Sequence, residues 1–232
     1  MDKIQLIEKL FTYLLEGSYL LLPFAFLLCK TKRVKPFLFI AIYGIIFFFF
    51  LHFFYKIPYD LGKYFVTFYT FLEYTFFSLI IGYHINNKKY RSAFFYLSIV
   101  YAASLLSYLF FNTTFKKLDS IPIAIETFLI FFYIIVYFRQ FFKNNITKNV
   151  YEYPSFWLIV GILTYLGSGF YFNLLVDYVT EDQFSKYWHF TYIPDIIKNL
   201  LFTMVIMGYP SVSNEYNALS IKSKDIPNLD MI

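Results

Sequence analysis

The chain has 232 residues, of which 59% are hydrophobic and only 15% charged, whereas soluble domains are nearer half apolar and a quarter charged. Its net charge of +5 comes from Lys and Arg residues clustered in short stretches between long apolar runs. This distribution excludes a nucleic-acid-binding surface and is typical of loops beside a membrane. The single cysteine, Cys29, excludes an intramolecular disulfide.

Seven apolar runs are long enough to cross a bilayer as helices, since about 18 or more such residues are needed. They are predicted at 8–29, 37–54, 64–85, 93–111, 120–142, 155–176 and 190–209. No connector could hold a separate soluble domain. We therefore predict an all-α bundle of seven transmembrane helices over 1–209, embedded in the lipid bilayer. A flexible cytoplasmic tail is predicted over 210–232.

The orientation of the bundle follows from the basic residues in its connectors. One side of the predicted topology carries twelve Lys and Arg residues and the other side carries seven. Because cytoplasmic loops are enriched in these residues, we predict that the N-terminus lies outside and the C-terminus lies in the cytoplasm.

Pro194 lies inside the seventh predicted helix. A proline there indicates either a kink or a later start of the helix. In the second case the preceding YWHFTY stretch lies at the membrane interface, where Tyr and Trp are common.

The sixth predicted helix contains three glycines, Gly161, Gly167 and Gly169, in the stretch GILTYLGSGF. Their spacing does not match a phosphate-binding loop or a lipase motif. We predict that they are points of close packing against a neighbouring helix.

Ionisable residues inside the predicted helices are the main functional signal, because a charge at the bilayer centre costs about 2.5 to 3.5 kcal/mol or more. These residues are Glu16, Glu73, Glu126, Asp195 and Lys198. At about 1.5 Å per residue, all five lie roughly 8 to 14 Å below the outer boundary. Their shared depth predicts one polar layer in the outer half of the membrane.

Asp195 and Lys198 are three residues apart, so they share a helix face and can partly neutralise each other; Asn199 extends that face. The glutamates leave more acid than one ammonium can neutralise, which predicts groups that titrate together. The predicted ligand-binding set is completed by Tyr69, Tyr165 and Asn173. We predict an outward-facing polar cavity, and a purely structural polar network is the open alternative.

No catalytic or metal-binding pattern accompanies this layer. The histidines, His52, His84 and His189, form no HxxxH or HExxH pair, although His52 and His189 with an acid leave a metal site as an open alternative. Lys198 in helix seven corresponds in position to the lysine of retinal proteins, but its spacing from aspartate differs from theirs. We therefore predict no metal, no cofactor and no catalytic residue.

Four stretches carry a resemblance to known sequences: FLEYTFFSLI, IAIETFLIFFYIIVYF, PSFWLIVGILTYLGSGFYF and WHFTYIPDIIKNLLF. Together they resemble a family of small bacterial seven-helix membrane proteins that has no established activity. The positions that carry it are those of Glu73, Glu126, Ser155, Phe156, Trp157, Gly161, Tyr165, Gly169, His189, Asp195 and Asn199. Helix seven of that family looks Asn-rich, with an apolar residue at the position of Lys198. Asp195 and Lys198 both differ from this pattern. An ion pair between them, in which each charge compensates the other, would explain why the two differences occur together.

The resemblance covers most of the chain and implies a sensor or receptor-like module in the bacterial inner membrane. We therefore predict a module that binds a small ligand or a proton in the polar layer and signals to a cytoplasmic or membrane protein partner. Three alternatives stay open: a proton-coupled transporter, an intramembrane enzyme that uses carboxylates on lipid, and a structural subunit of a membrane complex.

Overall fold

The computed structural model describes residues 3–29, 35–54, 59–111, 120–144, 150–176 and 188–208. These residues form long α-helices and contain no strand. The helices are α1 (Lys3–Leu28), α2 (Lys35–Phe54), α3 (Tyr59–Tyr83), α4 (Lys88–Phe111), α5 (Ser120–Asn144), α6 (Pro154–Val176) and α7 (Tyr192–Gly208). Seven segments are long and apolar enough to cross a membrane. The predicted all-α fold with seven candidate spanning helices is confirmed, and the predicted tail lies outside the described residues.

Several helices extend beyond the apolar runs that predicted them. The start of α4 shows why, because polar Lys88 and Lys89 precede its first apolar turn. Asn87 caps this end: its Oδ1 accepts from the backbone N–H of Lys89 at 2.9 Å, and its carbonyl accepts from that of Arg91 at 3.1 Å. Hydropathy marks the part of a helix suited to lipid, whereas the cap marks where the helix begins.

Pro194 marks the start of α7. A 3₁₀ helix at Trp188–Thr191 leads into α7, which begins at Tyr192 and has Pro194 in its first turn. At that position the missing N–H removes no intrahelical hydrogen bond. Pro194 therefore marks a helix start and not a kink, as one of the two sequence interpretations predicted.

The helices pack as a ring with one helix outside it. Contacts run in the order α1, α2, α3, α5, α6, α7 and back to α1, while α4 lies against α3 and α5. Large apolar side chains cover the outer surface, and on α4 Phe110 and Phe111 are more than 80% exposed. Such a surface suits contact with lipid.

Glycines permit two close approaches in this ring. A Cβ atom at Gly44 would lie 2.6 Å from the carbonyl oxygen of Tyr19 and 2.9 Å from the Cβ of Leu22, so α1 and α2 meet there. A Cβ atom at Gly161 would lie 3.3 Å from the ring of Phe202 on α7.

The prediction for the other two glycines of α6 is wrong. Among the described residues, no neighbouring atom lies within 4 Å of a Cβ built on Gly167 or Gly169. Of the three glycines, Gly161 has the predicted role among the described residues.

Candidate functional site

Polar side chains from five helices meet inside the ring. We call this group the central polar cluster, and it consists of Ser18 and Tyr19 on α1, Tyr43 on α2, Glu73 on α3, Tyr165 on α6, and Asp195, Lys198 and Asn199 on α7. Lys198 and Asn199 have no exposed surface, and Glu73 and Asp195 are 4% and 6% exposed. The charged groups of the cluster are therefore inside the protein and do not face lipid.

An ion pair on α7 forms the first part of the cluster. Lys198 Nζ lies 2.6 Å from Asp195 Oδ1, and the hydroxyl of Tyr19 donates to Asp195 Oδ2 at 2.7 Å. The predicted neutralisation across one helix face is confirmed. Burial of both charges costs solvation free energy, so this pair holds only because its partners are placed to bond it.

Tyr43 joins this ion pair to Glu73. The ammonium of Lys198 donates to the hydroxyl oxygen of Tyr43, whose own proton is donated to Glu73 Oε1 at 3.3 Å. The hydroxyl of Tyr165 donates to Glu73 Oε2 at 3.0 Å. A chain of hydrogen bonds therefore runs from α7 through α2 to α3 and α6.

Four aromatic rings surround the ammonium of Lys198. Its Nζ lies 4.0 Å from the ring centroid of Tyr165 and 4.8 Å from that of Tyr43. The centroids of Tyr19 and Phe77 are each 5.4 Å away. All four distances are within the range of cation–π attraction, so the charge has both a carboxylate and ring faces as partners.

Asn199 and Ser18 form the edge of the cluster toward α1. Asn199 Nδ2 donates to Ser18 Oγ at 2.9 Å, and Ser18 Oγ donates to the carbonyl of Leu15 at 2.7 Å. The amide oxygen of Asn199 is buried and has no hydrogen-bond partner in the described part of the chain.

Glu126 does not join these hydrogen bonds. It is 1% exposed on α5, and its Oε1 has no hydrogen-bond partner among the residues described. A second set of hydroxyl groups links α3, α4 and α5, where Tyr74 lies 2.7 Å from Tyr133 and 2.9 Å from Ser98. The predicted layer therefore contains a connected cluster and a separate buried carboxyl group.

The other predicted members have different positions. Glu16 is half-buried and forms no hydrogen bond or ion pair within the described ranges. Tyr69 packs its ring 4.8 Å from that of Phe47 on α2. Asn173 belongs to α6, but its side chain lies outside the described residues.

Sequence reasoning missed Tyr43, which connects the charges. One signal was present: Tyr43 is the only residue of α2 with a hydroxyl group, and it precedes Gly44, where α1 approaches most closely. It was missed because the chain has 24 tyrosines. Ser18 gave no comparable signal.

The histidines have aromatic neighbours. The ring of His189 lies 5.4 Å from that of Phe11, and the ring of His52 lies 6.2 Å from that of Phe48. Within the described ranges there is no group of three or more His, Cys, Asp or Glu residues that could hold a metal ion.

Comparison with protein-family models, curated proteins and solved structures gives no match for this chain. The resemblance to a bacterial family therefore stays a prediction. Fold and site together define the class: an all-helical protein with seven candidate membrane-spanning helices and a buried, charged cluster at the centre of its ring.

Proposed function

We propose that this chain is a receptor-like membrane module that binds a proton or a small ligand at the central polar cluster and signals the change to a protein partner. The observation that carries the proposal is a connected polar path: Asp195 forms an ion pair with Lys198, and hydrogen bonds run from Lys198 through Tyr43 to Glu73. Intramembrane charges of this kind are expensive, and they mark functional sites more often than not.

The path supports signalling because each charged group is held by side chains from more than one helix. Glu73 on α3 depends on hydroxyl groups from α2 and α6, and Asp195 on α7 depends on one from α1. Interactions between charges are strong in a low dielectric. A proton or ligand that changed the charge at Glu73 would therefore favour a different packing of these helices, which is how a local switch shifts a global state.

The proposed orientation has the N-terminus outside and the C-terminus in the cytoplasm of a bacterium, with the bundle in the inner membrane. The excess of Lys and Arg in the connectors on one side supports this orientation. The tail over 210–232 carries charges of both signs, which suits it as the contact for a cytoplasmic partner.

Native mass spectrometry tests the ligand form of the proposal on the purified wild type, Glu73→Gln and Glu126→Gln. Both variants replace a buried carboxyl group by an amide of the same size, but only Glu73 belongs to the cluster. We expect a bound mass in the wild type and in Glu126→Gln, and its loss in Glu73→Gln.

Infrared difference spectroscopy tests the proton form on the same three proteins. We expect a pH-dependent carboxyl band in the wild type that Glu73→Gln lacks and Glu126→Gln keeps. If the wild type has neither a bound mass nor such a band, or if Glu73→Gln fails to fold while Glu126→Gln folds, the cluster is structural and the proposal is wrong.

A further inference from the structure

The environment of the Lys198 ammonium is a complete recognition site for a cation. Ring faces of Tyr165, Tyr43, Tyr19 and Phe77 surround it at 4.0 to 5.4 Å from Nζ to the centroids. Tyr19, Tyr43 and Phe77 have no exposed surface. Water is therefore excluded from most of the ammonium, and cation–π attraction is strongest under that condition.

Hydrogen-bond acceptors complete the site. The carboxylate of Asp195 pairs with the ammonium at 2.6 Å from Oδ1 to Nζ, and the hydroxyl oxygen of Tyr43 accepts a hydrogen bond from Nζ. The contact with Tyr43 requires a cation that carries an N–H donor, and a quaternary ammonium ion has none. Among the ammonium ions that carry N–H, a primary one matches the lysine head group that occupies the site.

We propose that these rings and acceptors form a site for a primary alkylammonium ion, and that Lys198 fills this site from within the chain. The part of the lysine side chain beyond its Cβ atom is a propylammonium group. Replacing Lys198 by Ala vacates that volume and leaves the rings, Asp195 and Tyr43 in place. The vacated site then takes a free alkylammonium ion from solution.

The test is chemical rescue of Lys198→Ala with propylammonium in detergent or nanodisc preparations, measured as the midpoint of thermal unfolding. A ligand of four heavy atoms has a dissociation constant no lower than about 40 µM. A concentration of about 100 mM therefore occupies most of the sites even if the dissociation constant is a thousandfold higher. We expect a rise in midpoint of at least about 2 °C at that concentration. The same concentration of 1-propanol, which has as many heavy atoms but no charge, should give no rise.

Matched variants separate the site from general effects of the amine. Lys88→Ala removes an exposed lysine, so propylammonium should not stabilise it beyond the wild type. Adding Asp195→Asn to Lys198→Ala removes the carboxylate and should abolish most of the rescue. Tetramethylammonium should stabilise Lys198→Ala less than propylammonium does, because it has no N–H to donate.

If Lys198→Ala yields no folded protein, the yield of folded protein replaces the unfolding midpoint as the measurement. Propylammonium present during expression and purification should then restore that yield, and 1-propanol should not. Equal effects of the two compounds, or no effect of either, would overturn the proposal in both forms of the test. The outcome does not depend on the proposed signalling role, because stability alone is measured.

Discussion

Replacement of Lys198 by Met tests the buried ion pair most directly. Methionine keeps nearly the length and volume of lysine but removes its charge. Lys198 has no exposed surface, and Asp195 lies 2.6 Å from its Nζ. The substitution therefore leaves a buried carboxyl group without its cation, and the hydroxyl of Tyr19 stays as its hydrogen-bond donor within the described part of the chain.

The expected cost is large because nothing else can compensate inside the ring. Removing one member of a buried pair typically costs about 3 to 5 kcal/mol, because the other charge stays desolvated. For a chain of this length that corresponds to a fall of about 6 to 20 °C in the unfolding midpoint. Adding Asp195→Asn removes the stranded carboxylate, and we expect this double variant to recover at least about 2 kcal/mol of the loss.

Circular dichroism during thermal unfolding, on the wild type, both single variants and the double variant, measures the coupling free energy between the two residues. A Lys198→Met protein within about 1 kcal/mol of the wild type would refute the reasoning. Additive losses in the double variant would do the same.

Three further predictions concern other parts of the bundle. Gly44→Ala should destabilise the bundle by about 1 to 3 kcal/mol in the thermal unfolding measurement, because its Cβ would overlap the backbone of α1. Gly17→Ala is the control, since no neighbouring atom among the described residues lies within 4 Å of its Cβ. It should be neutral or slightly stabilising in the same measurement. Tyr43→Phe should cost about 1 to 3 kcal/mol, since it removes both hydrogen bonds between the ion pair and Glu73, and an unchanged midpoint would show that this hydroxyl does not connect them. Burial lowers the pKa of His84, in the turn after α3, to about 4. The unfolded chain takes up this proton near pH 6.5, so the free energy of unfolding should fall as the pH drops from about 6.5 towards 4. His84→Gln should show a smaller fall over the same range.

The helices and one contact of the site could be predicted from sequence because both depend on local spacing. Apolar runs of sufficient length mark helices in any lipid-embedded chain. Asp195 and Lys198 are three residues apart on one helix, so their pairing needs no knowledge of the rest of the fold. Similarly, Pro194 restricts where α7 can begin.

The remaining contacts depend on how each helix is rotated about its own axis, and the sequence leaves this rotation open. Helix α2 is apolar on every face, so hydropathy does not show that Tyr43 points inward, and its lone hydroxyl group was the one available signal. Glu73 and Glu126 have the same chemistry and similar predicted depths, yet only Glu73 meets hydroxyl groups from neighbouring helices. Predicted depth gave the two glutamates the same role and could not separate them.

The contact between α1 and α7 that closes the ring has a consequence for biosynthesis. Helices enter the membrane in the order in which they are made, so Glu73 on α3 arrives before Lys198 on α7. Until then the ring is open, and the acid of α3 has no ammonium to balance it. A chain halted before α7 would carry an incomplete polar interior, because Glu73 would lack the path through Tyr43 to Lys198. The last helix to be made both closes the ring and completes the hydrogen bonds of its interior.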